Sequence, residues 1–317
     1  MLTMGQTADL LKSKDNILIL THKNPDGDTV GSAAALCGAL RQTGKTAYVM
    51  KNLTITAKLV PYTDSYYPPQ DFSPEYICAV DIADLPLLND DAEMYSGNIG
   101  LCIDHHPTNS LYAENTLLMP DAAACGEIVT DLCSALSVTL TPEIATAAYL
   151  AIATDTGCFK YSSTTAATHR IASELMNTGM DFYSINNRFF ELKSHSRFVL
   201  ERLLMETILF YHDGRVAIAH ITDEMISLSG ATEDDTENIS AITREIEGVD
   251  IGVLIRQRGD QWKLSIRTSP AADASVICAR HGGGGHARAA GCTIVTSLDE
   301  TKKIIIETID RYLEQIR

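Results

Sequence analysis

Short apolar runs alternate with longer stretches of helical periodicity through the first part of the chain. Three runs, at residues 17–21, 76–80 and 99–103, are almost free of polar side chains. Continuous apolar runs of this length are typical of strands that are buried on both faces, as in parallel sheets. Since these strands alternate with helical segments, we predict an α/β fold whose N-terminal sheet is doubly wound and mainly parallel.

The pattern changes towards the C-terminus. Helical periodicity dominates residues 122–210, and the turn signal at 211–214 opens a region in which strand patterns dominate again. We therefore predict an N-terminal domain over residues 1–189, a helical connector over 190–210 and a smaller C-terminal α/β domain over 211–317.

Polar side chains that could bind a metal follow each of the three apolar runs and end one helical segment. They are His22, Asp26, Asp28, Asp81, Asp104, His105, His106 and Asp155. In an open α/β sheet, ligands bind just beyond the carboxyl ends of the strands. We therefore expect these side chains to meet at one edge of the sheet.

Five clustered carboxylates would repel one another and raise each other's pKa values unless cations neutralised them. Mixed imidazole and carboxylate ligation suits manganese, iron or zinc better than calcium. Two such ions, roughly 3.5–4 Å apart, can clamp phosphate oxygens and generate a hydroxide. Each residue alone could instead be a turn former, a helix cap or a core histidine. Their shared position at the ends of strands and helices favours a metal centre.

Charge and composition exclude several classes of function. A net charge of −16 over 317 residues opposes binding of long nucleic acid or anionic membranes. There is no uncharged apolar run long enough to span a membrane, and residues 1–6 do not resemble a signal peptide, so we expect a cytoplasmic protein. The eight cysteines form no C-x-x-C pair, which favours buried, reduced thiols.

A glycine run at 282–285 precedes His286 and Arg288. Consecutive glycines let the backbone approach a ligand closely, and their N–H groups can hold an anion. Six Lys or Arg residues stand against two acids between residues 252 and 291, a local positive surface in an acidic chain. Alternatively, the glycine run could be a flexible loop, and the basic residues could form a solvated surface that binds no ligand.

Four blocks, 21–28, 80–81, 104–106 and 154–157, resemble the motifs of the DHH phosphoesterase superfamily in order and spacing. Residues 282–291 resemble the signature of the DHH-associated C-terminal domain. Length and domain order look most like the bifunctional oligoribonucleases and 3'-phosphoadenosine-5'-phosphate (pAp) phosphatases. The sequence departs from the family pattern at two places, and both leave the fine substrate preference open. No basic residue follows Asp81 within a few positions, and Thr268 stands where a serine is more usual.

The resemblance implies two divalent metal ions, with Mn²⁺ expected. The implied ligands are His22 and Asp26 for one ion, Asp28 and His105 for the other, and Asp81 and Asp155 for both. Four coordinating aspartates and two divalent ions carry opposite and equal charge, so an anionic phosphate would not be repelled.

The resemblance also implies roles for the other candidates. Asp81, Asp104 and His106 would be catalytic, with Asp104 orienting a neighbouring histidine and His106 contacting the scissile phosphate or protonating the leaving oxygen. The substrate-binding residues would be Arg267, Gly283, Gly284, Gly285, His286 and Arg288. The active site is expected in the cleft between the two domains. Phe159 and Tyr161, beside Asp155, are candidate stacking residues for a base.

On the basis of this resemblance, we predict a phosphoesterase that hydrolyses short oligoribonucleotides, linear dinucleotides and pAp by attack of a metal-bound hydroxide. A cyclic dinucleotide phosphodiesterase on the same scaffold is the nearest alternative. A manganese pyrophosphatase and a catalytically idle nucleotide sensor are further alternatives. Short RNA or a small nucleotide is the expected partner, without long nucleic acid or membrane. A homodimer is compatible with the sequence, but no motif specifies it.

Overall fold

The computed structural model describes residues 1–236 and 238–315. Contacts between Cα atoms divide the chain into two compact units, Met1–Leu192 and Lys193–Arg317. The expected domain bounds and the separate connector over 190–210 stay predictions. Within the described residues, no helix combines the length and the apolar character that crossing a membrane requires.

The first unit is built on a five-stranded sheet in which every strand pair is parallel. Its strands are β1 (Ile17–Leu20), β2 (Ala47–Val49), β3 (Tyr76–Val80), β4 (Ile99–Asp104) and β5 (Asn115–Leu118), in the spatial order β2-β1-β3-β4-β5. All residues of β1, β3 and β4 are buried, as their unbroken apolar sequences predict.

Both faces of this sheet are covered. The helices of the first unit are α1 (Met4–Ser13), α2 (Gly27–Gln42), α3 (Cys125–Ala135), α4 (Pro142–Asp155), α5 (Ala166–Met176) and α6 (Phe182–Asn186). Ile17 and Ile19 face the helical side, whereas Leu18 and Leu20 pack under loops and short 3₁₀ segments on the other side. The α/β prediction with a parallel sheet is confirmed.

The second unit has a six-stranded mixed sheet in the order β10-β11-β9-β8-β7-β6. Its strands are β6 (Leu209–Tyr211), β7 (Val216–Ile221), β8 (Ile251–Arg258), β9 (Gln261–Thr268), β10 (Gly284–His286) and β11 (Ala289–Ile294). Its helices are α7 (His195–Met205), α8 (Asp223–Ser229), α9 (Ala274–Ala279) and α10 (Leu298–Gln315). One face packs against α9 and α10, the other against α7. The smaller C-terminal α/β domain is confirmed.

Three short strands fall where the pattern predicts none or predicts helix. The prediction of helix up to residue 210 is wrong at its end: the helix ends at Met205, and β6 follows it. β5 has four residues, and β10 consists of Gly-Gly-His. Segments this short carry too little periodicity to be recognised, because their pairing comes from neighbouring strands.

Close contact between α2 and α4 joins the parts of the chain that carry the candidate metal ligands. A Cβ atom built at Gly31 would lie 2.3 Å from the carbonyl oxygen of Ala147. One built at Gly27 would lie 2.3 Å from Oγ1 of Thr154. The backbones of the two helices can therefore approach only because these positions lack side chains. The contact brings the first turn of α2 against the last turn of α4.

Replacing Gly31 with alanine should destabilise the first unit. The new methyl group meets backbone atoms that cannot move independently, and overpacking of this kind costs about 1–3 kcal/mol. The gain in helix propensity offsets under 1 kcal/mol. We expect the midpoint of urea unfolding to fall. Gly97→Ala is the matched control, since no described atom lies within 4 Å of a Cβ built there. Equal midpoints for the two variants would contradict this description of the helix contact.

Candidate metal centre

The fold brings all eight sequence-predicted residues of the N-terminal domain to the carboxyl edge of the parallel sheet. His22 follows β1, Asp81 follows β3, and Asp104 is the last residue of β4, with His105 and His106 after it. Asp26 is the N-cap of α2, Asp28 lies in the first turn of that helix, and Asp155 ends α4. The site therefore combines three strand ends with two helix ends.

Two groups of side chains within this set are close enough to share an ion each. In the first, Nε2 of His22 lies 3.6 Å from Asp26 and 3.8 Å from Asp81. In the second, Nε2 of His105 lies 3.7 Å from Asp28 and 3.6 Å from Asp155. Nε2 of His105 is also 3.6 Å from Oδ1 of Asp81, so Asp81 lies between the two groups.

Backbone carbonyl groups orient both of these imidazoles. Nδ1 of His22 donates to the carbonyl of Lys23 at 2.8 Å, and Nδ1 of His105 donates to that of Ala122 at 3.1 Å. A carbonyl oxygen can only accept, so the proton is on Nδ1 in each ring. In the neutral form of each ring Nε2 is then unprotonated and faces the carboxylates, which is the arrangement of metal-binding histidines.

Asp28 is held by the N-terminus of α3. Its carboxylate accepts from the backbone N–H of Cys125 at 2.7 Å and of Gly126 at 3.0 Å, and from the hydroxyl of Ser32 at 2.9 Å. The N-cap residue of α3 is Ala124, whose side chain cannot accept a hydrogen bond. Asp28 therefore caps a helix that is distant in sequence, and the helix fixes the direction of its carboxylate.

A second buried carboxylate orients His106. Asp104 is fully buried and accepts from Nδ1 of His106 at 2.8 Å and from the side-chain amide of Asn109 at 2.6 Å. Burial opposes the charge of Asp104, but its bonds to His106 and Asn109 lower its pKa overall. The same bond to Asp104 raises the pKa of His106. Asn109 was not identified in the sequence, although it lies only five residues after Asp104.

Asp81 differs from these two carboxylates because one of its oxygens lacks a partner. The side chain is 3% exposed, and Oδ1 accepts no hydrogen bond from any described residue. Burial, and next the charge of Asp28, raise the pKa of Asp81 well above its usual range. The backbone of Asp81 has φ +60°, a strained conformation for a residue with a side chain. A buried, unpaired carboxylate oxygen is costly unless a cation binds it.

The donor set fits a divalent cation. Three groups of ligand atoms each lie within 4.8 Å of one another: Asp81–His105–His106, His22–Asp26–Asp81 and Asp28–His105–Asp155. Each combines imidazole nitrogen with carboxylate oxygen, the mixture that suits manganese, iron or zinc. The site can therefore hold metal at the position where the sequence predicts it.

The predicted substrate residues lie in the second unit. The backbone of Gly285 has φ +140°, and a Cβ built at Gly283 would lie 2.2 Å from the carbonyl oxygen of Gly291. Pairing of β10 with β11 therefore requires glycine at both positions. His286 is exposed, and the Arg288 guanidinium donates to the carbonyls of Ser269 and Ala272.

The remaining two candidates differ from each other. Gly284 has open space around a built Cβ, so close packing among the described residues does not explain this glycine. Arg267 lies on β9 and donates to the carbonyl of Ile266. The substrate-binding role of the whole group stays a prediction.

Comparison with known proteins identifies the family. A model of the DHH family, N-terminal domain, matches residues 16–152, and a model of the DHHA1 domain matches residues 214–315. The chain belongs to the DHH family. It is 32% identical over 311 residues to "Bifunctional oligoribonuclease and PAP phosphatase NrnA" of Thermus thermophilus, covering 96% of this chain and 93% of that protein.

Two further matches agree with this assignment. "Probable bifunctional oligoribonuclease and PAP phosphatase NrnA" of Streptococcus mutans is 27% identical, with 94% of this chain and 95% of that protein covered. The crystal structure of an exopolyphosphatase-related protein from Bacteroides fragilis superposes with a TM-score of 0.90 at 23% identity, covering 99% of this chain and 97% of that one. At this identity the structure supports the fold alone.

Binding of Mn²⁺ should stabilise the protein more at pH 8 than at pH 5.5. Burial first, and then a neighbouring carboxylate, raise the pKa values of Asp28 and Asp81 in the metal-free protein. A raised folded-state pKa contributes stability that is full below the unfolded value of about 3.9 and is lost as pH rises through the folded value. Metal replaces those protons, so its stabilising effect grows with pH.

We expect saturating Mn²⁺ to raise the melting temperature by about 5 °C or more at pH 8, and by clearly less at pH 5.5. Differential scanning calorimetry measures both. Asp81→Asn should abolish most of the Mn²⁺ effect without lowering the metal-free melting temperature, because a buried charge disappears. An equal Mn²⁺ effect at the two pH values, or in the variant, would argue against a metal centre here.

Proposed function

We propose that the protein is a manganese-dependent phosphoesterase that hydrolyses short oligoribonucleotides, linear dinucleotides and the 3'-phosphate of pAp. One observation carries the proposal. The buried Asp81 belongs to the ligand group of His22 and Asp26 and lies 3.6 Å from Nε2 of His105 in the other group, and its Oδ1 has no hydrogen-bond partner among the described residues. The 32% identity to a protein named as a bifunctional oligoribonuclease and PAP phosphatase supports this choice of substrates.

Six residues would hold two divalent ions: His22 and Asp26 one, Asp28 and His105 the other, with Asp81 and Asp155 serving both. When bound, the ions supply an activated water and the positive charge that offsets a phosphate. The protein supplies the geometry. The Lys23 and Ala122 carbonyls set the imidazole tautomers, and the first turn of α3 holds Asp28.

His106 is the proposed proton donor to the leaving oxygen. Its Nδ1 is committed to Asp104, which leaves Nε2 to contact the phosphate or the leaving group. The bond to Asp104 raises the pKa of His106 and so favours a protonated ring near neutral pH. Asn109, which donates to the other oxygen of Asp104, helps to fix the plane of that carboxylate.

The second unit is proposed to bind the terminal phosphate of the substrate through His286, Arg288 and the glycine segment. The exposed His286 follows Gly285 in β10, and β10 is an edge strand. Backbone N–H groups on a glycine-rich edge can bind an anion.

Two rival activities share these ligands. A cyclic dinucleotide phosphodiesterase would turn over cyclic di-AMP faster than its linear product pApA. A pyrophosphatase would turn over pyrophosphate faster than any nucleotide. Steady-state rates with Mn²⁺ on pApA, pAp, cyclic di-AMP and pyrophosphate separate the three, and we expect pApA and pAp to be the best substrates.

Asp81→Asn should lower kcat on pApA by roughly a thousandfold or more, because the carboxylate shared by both ligand groups loses its charge. Asp84→Asn is the matched control. It lies three residues further on, is exposed, and should retain the activity of the unmodified protein. If Asp81→Asn kept more than a tenth of the activity, the proposed role of the metal centre would be wrong.

His286→Ala should raise KM for pAp and pApA by about tenfold while changing kcat little, since one charge-assisted contact to phosphate contributes roughly 1.5–3 kcal/mol. The urea midpoint should not change, because His286 is exposed. His195→Ala, an exposed histidine at the start of α7, is the control. Arg288→Ala is less informative, because it also breaks bonds to Ser269 and Ala272. An unchanged KM in His286→Ala would remove the histidine from the substrate site.

A further inference from the structure

The chain makes a left-handed turn directly after α4. Three successive residues, Gly157, Cys158 and Phe159, have φ values of +56°, +57° and +64°. Residues with side chains rarely adopt this conformation, and a run of three is rarer still. Hydrogen bonds hold it in place. The N–H of Cys158 donates to the carbonyl of Ala153 at 2.7 Å, and that of Tyr161 donates to the carbonyl of Thr156 at 3.0 Å.

This turn sends the two aromatic side chains that follow Asp155 in different directions. Phe159 packs against the core, with its ring centroid 5.8 Å from that of Tyr149 and 5.3 Å from that of His169. Its ring surface is therefore used within the protein. Tyr161 is 58% exposed. The two candidate stacking residues of the sequence are thus separated by the fold.

Tyr161 is exposed but not loosely placed. A Cβ built at Gly157 would lie 2.4 Å from Cζ and 2.5 Å from Cε1 of Tyr161. All three nearest atoms are ring carbons and the hydroxyl oxygen is not among them, so a side chain at this position would meet the ring itself. The ring therefore lies against Gly157, while more than half of the side chain remains exposed. Any side chain at residue 157 would displace the ring.

We propose that the exposed ring of Tyr161 stacks on a nucleobase of the substrate. The inference rests on the proposed function. The ring lies against Gly157, two residues after the proposed ligand Asp155 and within the same unit. An aromatic face held by backbone contacts binds a base with little loss of conformational freedom, and it accepts every base because each has a π-face. Tyr161 would therefore favour nucleotides over simple phosphate esters without selecting a base sequence.

Three substitutions at one position test this role. Tyr161→Phe keeps the ring, Tyr161→Leu keeps an apolar side chain without it, and Tyr161→Ala removes both. With Mn²⁺ and pApA, we expect KM to rise about tenfold in the Ala and Leu variants and to stay within about twofold in the Phe variant. The kcat and the urea midpoint should change little in all three, since Tyr161 is exposed.

Tyr183→Ala is the matched control, because Tyr183 is a similarly exposed tyrosine (64%) in the same unit, on α6. Its KM should equal that of the unmodified protein. A second arm uses two dinucleotides in which one base or the other is replaced by hydrogen. With one of these two substrates, Tyr161→Ala should have the same KM as the unmodified protein, because the base that stacks is already missing.

The outcomes separate this inference from the proposed function. If the unmodified protein hydrolyses pApA and Tyr161→Ala has the same KM, the stacking role is wrong and the phosphoesterase assignment stands. A Phe variant that is as impaired as the Ala variant would also overturn the stacking role and point to the hydroxyl. If the unmodified protein hydrolyses no nucleotide, the proposed function fails first, and the stacking role fails with it.

Discussion

The structure depends on keeping several carboxylates together at a buried sheet edge. Asp28, Asp81 and Asp104 are each nearly or fully buried, and charges in such positions are costly without partners. The carboxylate of Asp28 accepts hydrogen bonds at the N-terminus of α3, and the carboxylate of Asp104 accepts them from His106 and Asn109. Of these three aspartates, Asp81 alone has an oxygen, Oδ1, without a hydrogen-bond partner among the described residues. Nε2 of His105 lies 3.6 Å from this oxygen, and Nε2 of His22 lies 3.8 Å from Oδ2 of the same carboxylate. The arrangement is electrostatically balanced once cations are present.

The topology explains why these residues meet. In the strand order β2-β1-β3-β4-β5, the chain runs outwards from β1 in one direction and then from β3 in the other. The crevice at that switch point, beyond the carboxyl ends of the strands, is where open α/β sheets bind ligands. His22 and Asp81 flank it from β1 and β3. The close contact of α2 with α4 at Gly27 and Gly31 brings Asp26, Asp28 and Asp155 to the same place.

Much of the fold and of the candidate metal centre could be predicted from the sequence, because strand ends and polar motifs are local features. The parallel sheet follows from unbroken apolar runs, and the gathering of the candidate ligands follows from the sheet. The partners of those ligands could not be predicted. The Ala122 carbonyl, the N–H groups at the start of α3 and the Gly157 contact with Tyr161 depend on packing between distant segments. Pairing of β10 with β11 likewise explains Gly283 and Gly285, which the sequence suggested only as ligand contacts.

The most direct measurement is a crystal structure of the protein soaked in Mn²⁺, with anomalous scattering recorded at the manganese edge. We expect two anomalous peaks, one bound by His22, Asp26 and Asp81 and the other by Asp28, His105 and Asp155. Asp81 and Asp155 should each contact both ions. The absence of manganese from this sheet edge, or a single ion that leaves one of the two ligand groups empty, would contradict this expectation.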